Sequence, residues 1–241
     1  MGLKRALFGV FICVAMPASA TTVHISDFSA AAYSAALDGL SRTVVEDFEG
    51  QAVGNIDDGF VSAVGRFATV GGTGSGGTVS QASFENDGTK LAIRDGNVFG
   101  RTSTTHLLSG QSADDGFLDS NDTQGIVWEA SFGGRAFTQI LLTVADAADT
   151  GAAFHITAGG GTSVLQTLSN GAKQLVLIDF EEAVTGAEIR FENFNRHGLL
   201  VNDGFSIDDI AVSIVPLPAS VLLLGAGLLG LGAVSRRRRS A

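Results

Sequence analysis

The chain has 241 residues, 25 of them acidic and 15 basic, for a formal net charge of −10, and 45% of its residues are hydrophobic. A phosphate backbone needs a clustered basic surface. Here the only basic run, Arg236, Arg237, Arg238 and Arg239, lies beside a hydrophobic segment, which excludes nucleic acid as a partner.

At the N-terminus Lys4 and Arg5 precede an uncharged run from Ala6 to Ala15, and Pro17 is followed by Ala18, Ser19 and Ala20. A basic start, a short apolar stretch and a small-x-small site make a secretory leader over 1–20, cut by signal peptidase after Ala20. The run is shorter than the ~20 apolar residues that span a bilayer. The bland alternative is a buried N-terminal helix. Cys13, the sole cysteine, falls inside the leader, so no disulfide staples the mature chain.

The body, 21–214, is one domain in size and carries 25 acidic and 9 basic residues, a net of −16. Ser26 or Asp27 is positioned to cap a short helix through Phe28, Ala32, Ala35 and Leu40, with Gly39 weakening its end. Beyond it the period changes. Thr43 to Phe48, Phe60 to Val70, Thr78 to Phe84, Ile126 to Phe132, Phe137 to Val144, Ala152 to Thr157, Ser163 to Leu168, Gln174 to Phe180, Ala187 to Asn193 and Phe205 to Ile214 are short, rich in β-branched and aromatic residues, and separated by Gly, Asn and Asp. They read as strands. Ala187, Ile189 and Phe191 alternate with Glu188, Arg190 and Glu192, the pattern of a half-buried strand. About ten strands with no helices between them predict an all-β, jelly-roll-like β-sandwich ectodomain.

Gly71 to Gly77 contains G-x-G-x-x-G, but a dinucleotide site needs a helix after the loop, and here another strand is predicted. Carboxylates are the chemically loaded feature. They cluster at Glu46, Asp47 and Glu49; Asp57 and Asp58; Asp114, Asp115, Asp119 and Asp122; Asp146 and Asp149; Asp208 and Asp209. Hard oxygen ligands suit Ca²⁺. From Asp119 the chain starts like a calcium loop, yet Gln124 replaces the turn glycine and Ala130 the terminal glutamate. In many jelly rolls a first-strand glutamate and a last-strand aspartate meet around a structural calcium. By that fold-level analogy the stretches VVEDFEG and FSIDDIAV nominate Glu49 and Asp208 as ligands of Ca²⁺, the one cofactor considered. The competing reading is solvated carboxylates in turns.

His24, His106, His155 and His197 are far apart and form no H-E-x-x-H, and Thr73 before Ser75 breaks G-x-S-x-G, so no catalytic residue is assigned. A non-catalytic protein is expected. Its alternatives are a surface carbohydrate-binding module or adhesin, with extracellular polysaccharide as partner, and an extracellular glycosidase or lyase built on two carboxylates. The single Trp128 and single Tyr33 leave little aromatic surface for stacking on sugars, and Trp128 is expected in the core.

Residues 215–241 form a third region. Val215, Pro216, Leu217, Pro218 and Ala219 hold two of the three prolines, which fix an extended, enzyme-accessible segment. Leu217 to Val234 is uncharged, mostly Leu, Gly, Ala and Val, and is read as one transmembrane helix. The basic tail after it, Arg236, Arg237, Arg238 and Arg239, holds that end in the cytoplasm and the acidic body outside. Motif, span and basic tail in this order closely resemble the VPLPA-CTERM variant of the PEP-CTERM sorting signal. The resemblance implies an exosortase-type processing enzyme, cleavage near the motif, and release or transfer from the inner membrane to the cell envelope or extracellular polymer. Leu217 replaces the acidic centre of the commoner Pro-Glu-Pro form, which implies the enzyme subtype matched to VPLPA.

Overall fold

The computed structural model describes residues 21–41, 43–57, 59–70, 90–104, 116–121, 123–148, 153–166 and 168–215. The leader with Ala18 and Ala20, the glycine loop at 71–77 and the strand expected at 78–84 lie outside the described residues. So do Pro216, Leu217, Pro218 and Ala219 of the sorting motif, the expected span to Val234, and the basic tail of Arg236, Arg237, Arg238 and Arg239. Among the described residues no helix is long and apolar enough to cross a membrane.

The described residues are mostly strand. In order come β1 (Thr21–Asp27), α1 (Ala30–Gly39), β2 (Thr43–Glu46), β3 (Gly54–Ile56), β4 (Phe60–Ser62), β5 (Gly65–Thr69), β6 (Leu91–Arg94), β7 (Asn97–Val98) and β8 (Arg101–Thr102). There follow β9 (Phe117–Asp119), β10 (Gly125–Ser131), β11 (Phe137–Ala145), β12 (Ala153–Ala158), β13 (Gly161–Gln166), β14 (Lys173–Val184), β15 (Gly186–Phe194) and β16 (Ser206–Ile214). One sheet runs β1-β14-β11-β16-β9-β6-β3, with β2 also on β16; the second runs β13-β12-β15-β10-β5-β4; β7 and β8 form a hairpin of their own. The pairings in both sheets are antiparallel, in keeping with an all-β sandwich.

Alternation decides which side chains meet. Ile140, Leu142, Val176, Ile178, Ile207 and Val212 of the first sheet pack into one cluster with Phe67, Ile126, Trp128, Phe154, Ile189 and Phe191 of the second. The two sheets are thus faces of a sandwich-like core. Trp128 is fully buried, stacks on Phe67 at 5.4 Å, and donates from Nε1 to the carbonyl of Val64 at 3.0 Å. Strand β15 keeps the alternation read from its sequence: Ile189 and Phe191 are buried, while Arg190 faces outward between Glu188 and Glu192, at 3.3 and 3.0 Å. Hydrogen bonding by Glu192 raises the Arg190 pKa, outweighing desolvation.

The reverse face of the first sheet is also covered. Tyr33 of α1 packs with Leu141, Leu175 and Ala211, so every residue of β16 is buried. The helix begins later than its sequence indicates. Ser26 and Asp27 are held in the β1–β14 ladder, Asp27 opposite Gln174, and the cap passes to Ser29, whose side chain accepts from the Ala32 N–H at 3.1 Å. The single strand expected over Phe60 to Val70 is a hairpin, because Ala63 and Val64 turn the chain and Ser62 pairs with Gly65.

Candidate functional site

The polar chemistry collects on the covered face of the first sheet. In β16 the register slips: Ala211 opposes Leu141 but Asp208 opposes Thr143, so Asp209 and Ile210 together face Leu142. This bulge, with Asp209 at φ +50°, resets the alternation so that Ile207 and Ile210 both enter the core. Aspartate tolerates the left-handed region better than most residues.

Thr104, just past β8, reaches both carboxylates. Its N–H donates to Asp208 Oδ2 at 2.9 Å, beside Ser103 Oγ at 2.7 Å, and its hydroxyl bonds Asp209 Oδ2. The same hydroxyl lies 2.6 Å from Thr143 Oγ1, which donates to the Asp208 carbonyl at 3.0 Å. The Thr104 hydroxyl has one proton and can donate to only one of these two oxygens, Asp209 Oδ2 or Thr143 Oγ1. Burial pushes the Asp208 carboxyl well above the usual carboxylate range, and the neighbouring Asp209 charge adds to it. Tyr33 of α1 donates its hydroxyl to the Asp209 carbonyl at 3.0 Å, and burial, reinforced by these carboxylates, raises its pKa.

One strand over, Asp119 opposes Ser206. Arg101 Nη1 approaches its Oδ1 at 3.1 Å and Arg94 Nε its Oδ2 at 3.6 Å, all three side chains being at most 5% exposed. Arg94 also donates to Asn121 Oδ1 at 3.0 Å. Asp119, Asp146, Asp208 and Asp209 are therefore interior hydrogen-bonding groups, and the solvated-turn reading fails for them. It holds for Asp57, which is exposed and meets Lys90 at 2.8 Å.

The two nominated calcium ligands have different surroundings. Glu49 Oε1 accepts from the Gly116 N–H at 3.1 Å, whereas Asp208 accepts from Ser103 and Thr104. Strands β2 and β16 do pair, but the residue in register with Ile210 is Glu46, whose oxygens accept from the Phe48 and Ala63 N–H groups. Calcium asks for six to eight oxygens. Among the described residues no group of three or more His, Cys, Asp or Glu side chains is gathered. Of the sorting motif, Val215 is described, and it donates its N–H to the Ala136 carbonyl at 2.8 Å.

The outer face of the second sheet carries an open groove of about 700 Å³, lined among others by Val61, Arg66, Glu129, Ser131, Gly186 and Glu188. Glu129 stands opposite both Arg66 and Glu188. It meets Arg66 at 3.4 Å, as Glu188 meets Arg190 at 3.3 Å. His24, His155 and His197 lie on β1, on β12 and after β15, and His106 is outside the described residues. Sequence reasoning missed Arg94, Arg101, Ser103, Thr104 and Thr143. The only local sign was the hydroxyl run after Arg101, Thr102 to Thr105. Neither a family model nor a curated protein matches the chain.

Proposed function

We propose that the chain is a non-catalytic exported protein of the cell envelope or extracellular polymer. In this reading the leader at 1–20 exports it, the apolar run at 217–234 holds it in the inner membrane with the body outside, and an exosortase-type enzyme processes it at Val215 to Ala219. One observation carries this: the Val-Pro-Leu-Pro-Ala motif, the apolar run and the four arginines follow one another in the order that a sorting signal requires. Supporting it, β16 ends at Ile214, immediately before the motif. The finer fold reading is a jelly-roll-like sandwich, supported by two antiparallel sheets on one core and by the pairing of β2 with β16 within the first of them. The non-catalytic reading is supported by the partners of the carboxylates: Asp119 is shared by two arginines, Glu129 faces Arg66 and Glu188 faces Arg190.

Mass spectrometry of the mature C-terminus tests the proposal in cells with a competent exosortase. Truncation near Ala219 is the expected result, and an intact Ala241 overturns it. The rival, a surface carbohydrate-binding module, has the groove at Glu129 and Glu188 as its candidate site. Glycan-array binding that is lost in Glu129→Gln would favour it.

A further inference from the structure

The last described hydrogen bond of the chain fixes more than the end of a strand. Phe137 of β11 is in register with both Ile214 of β16 and Val184 of β14, and the Val215 N–H is held by Ala136 at 2.8 Å. The exit point of the chain is therefore tied to the β10–β11 turn (132–136) and to the neighbouring β14–β15 turn at Thr185.

Only Pro216 separates Val215 from the apolar run that starts at Leu217. Two Cα steps of 3.8 Å reach at most about 8 Å. The polar zone on each side of a bilayer's hydrocarbon core is itself only about 5–8 Å deep. Even with the motif extended to Ala219, four Cα steps reach at most about 15 Å, so a fold tied at Val215 keeps its exit end close to the lipid.

We propose that the sandwich is seated end-on to the bilayer, its β10–β11 and β14–β15 turns facing the lipid headgroups; this rests on the membrane-anchor reading above. The chemistry of that end fits a headgroup surface. From Ser131 to Phe137 the only charge is Arg135, and 183–187 carries none, in a body whose net charge is −16. Gly133, Gly134, Arg135, Thr185 and Gly186 are exposed there. A cation among small residues allows close approach to phosphates, with the exposed Glu182 and Glu188 set back on either side of the Thr185 turn. At the other end of β14 and β11 lies the Ser169–Ala172 turn, roughly 25 Å away at ~3.3 Å per residue along β11.

The test uses full-length chain with its leader processed, reconstituted in phosphatidylcholine vesicles doped with a headgroup-nitroxide lipid. Cysteines at Thr185→Cys, Arg135→Cys and Ser169→Cys carry a fluorophore, one at a time. Flotation reports anchoring, and quenching reports distance from the headgroups. The expected result is co-flotation of all three, with labels at 185 and 135 quenched several-fold more than at 169. Floated protein with equal quenching at the three positions overturns the end-on seating and leaves the anchor standing. Protein that fails to float overturns the anchor, and the seating with it.

Discussion

Asp208 and Asp209 are consecutive in one strand, yet both carboxylates reach a single residue, Thr104. Regular alternation would send them to opposite faces of the sheet; the bulge opposite Leu142 brings them together and leaves Ile207 and Ile210 in the core.

This pair makes stability depend on pH in a defined direction. The folded-state pKa of Asp208 is raised, so above the unfolded carboxylate value, about 3.9, the folded state binds more protons than the unfolded one. The pair's contribution is fully present below that value and is lost as pH rises through the raised folded pKa. Denaturant melts of the purified protein from pH 5 upward are expected to show stability from this pair falling with pH, and Asp208→Asn to flatten the slope. A wild-type slope retained in the variant would show that the pair does not hold a proton.

Asp119 is the shared carboxylate of two interior arginines. Asp119→Ala removes the counter-charge from both and is expected to cost about 3–5 kcal/mol, the usual penalty for breaking a buried ion pair from one side. Equilibrium unfolding measures it, and a loss below ~1 kcal/mol would mean that water reaches the site.

Gly65 opens β5 at φ +125°, where a Cβ would lie 2.2 Å from the carbonyl oxygen of Glu129. Gly65→Ala meets both an unfavourable backbone and a rigid neighbour, so a destabilisation well above ~1 kcal/mol is expected. Gly39→Ala, with nothing within 4 Å of its Cβ, is the control and is expected to be near neutral or stabilising.

With N–H and O–H donors already on Glu49 and Asp208, EDTA is expected to leave the melting midpoint unchanged. A midpoint that rises with added Ca²⁺ in the wild type and not in Asp208→Asn would support the calcium reading.

What the sequence by itself determined is local. Period-two alternation around Ile189 and Phe191, the strands near 126, 137, 153, 174 and 206, and a core Trp128 were readable because side-chain direction follows from neighbours a few residues away. The order of motif, apolar run and arginines is likewise written in consecutive residues. Tertiary structure alone decided the rest. Strand β1 exists because β14 offers it a ladder, which pushes the helix cap to Ser29. The short strands β6 and β9 carry too few residues for a period but are fixed by pairing to each other, and β9 by pairing to β16. Ser103 and Asp208 meet across 105 positions of sequence. Carboxylates that look alike in sequence are exposed at Asp57 and buried at Asp208, since the folded chain, not residue type, decides which oxygens lose their water and which donors replace it.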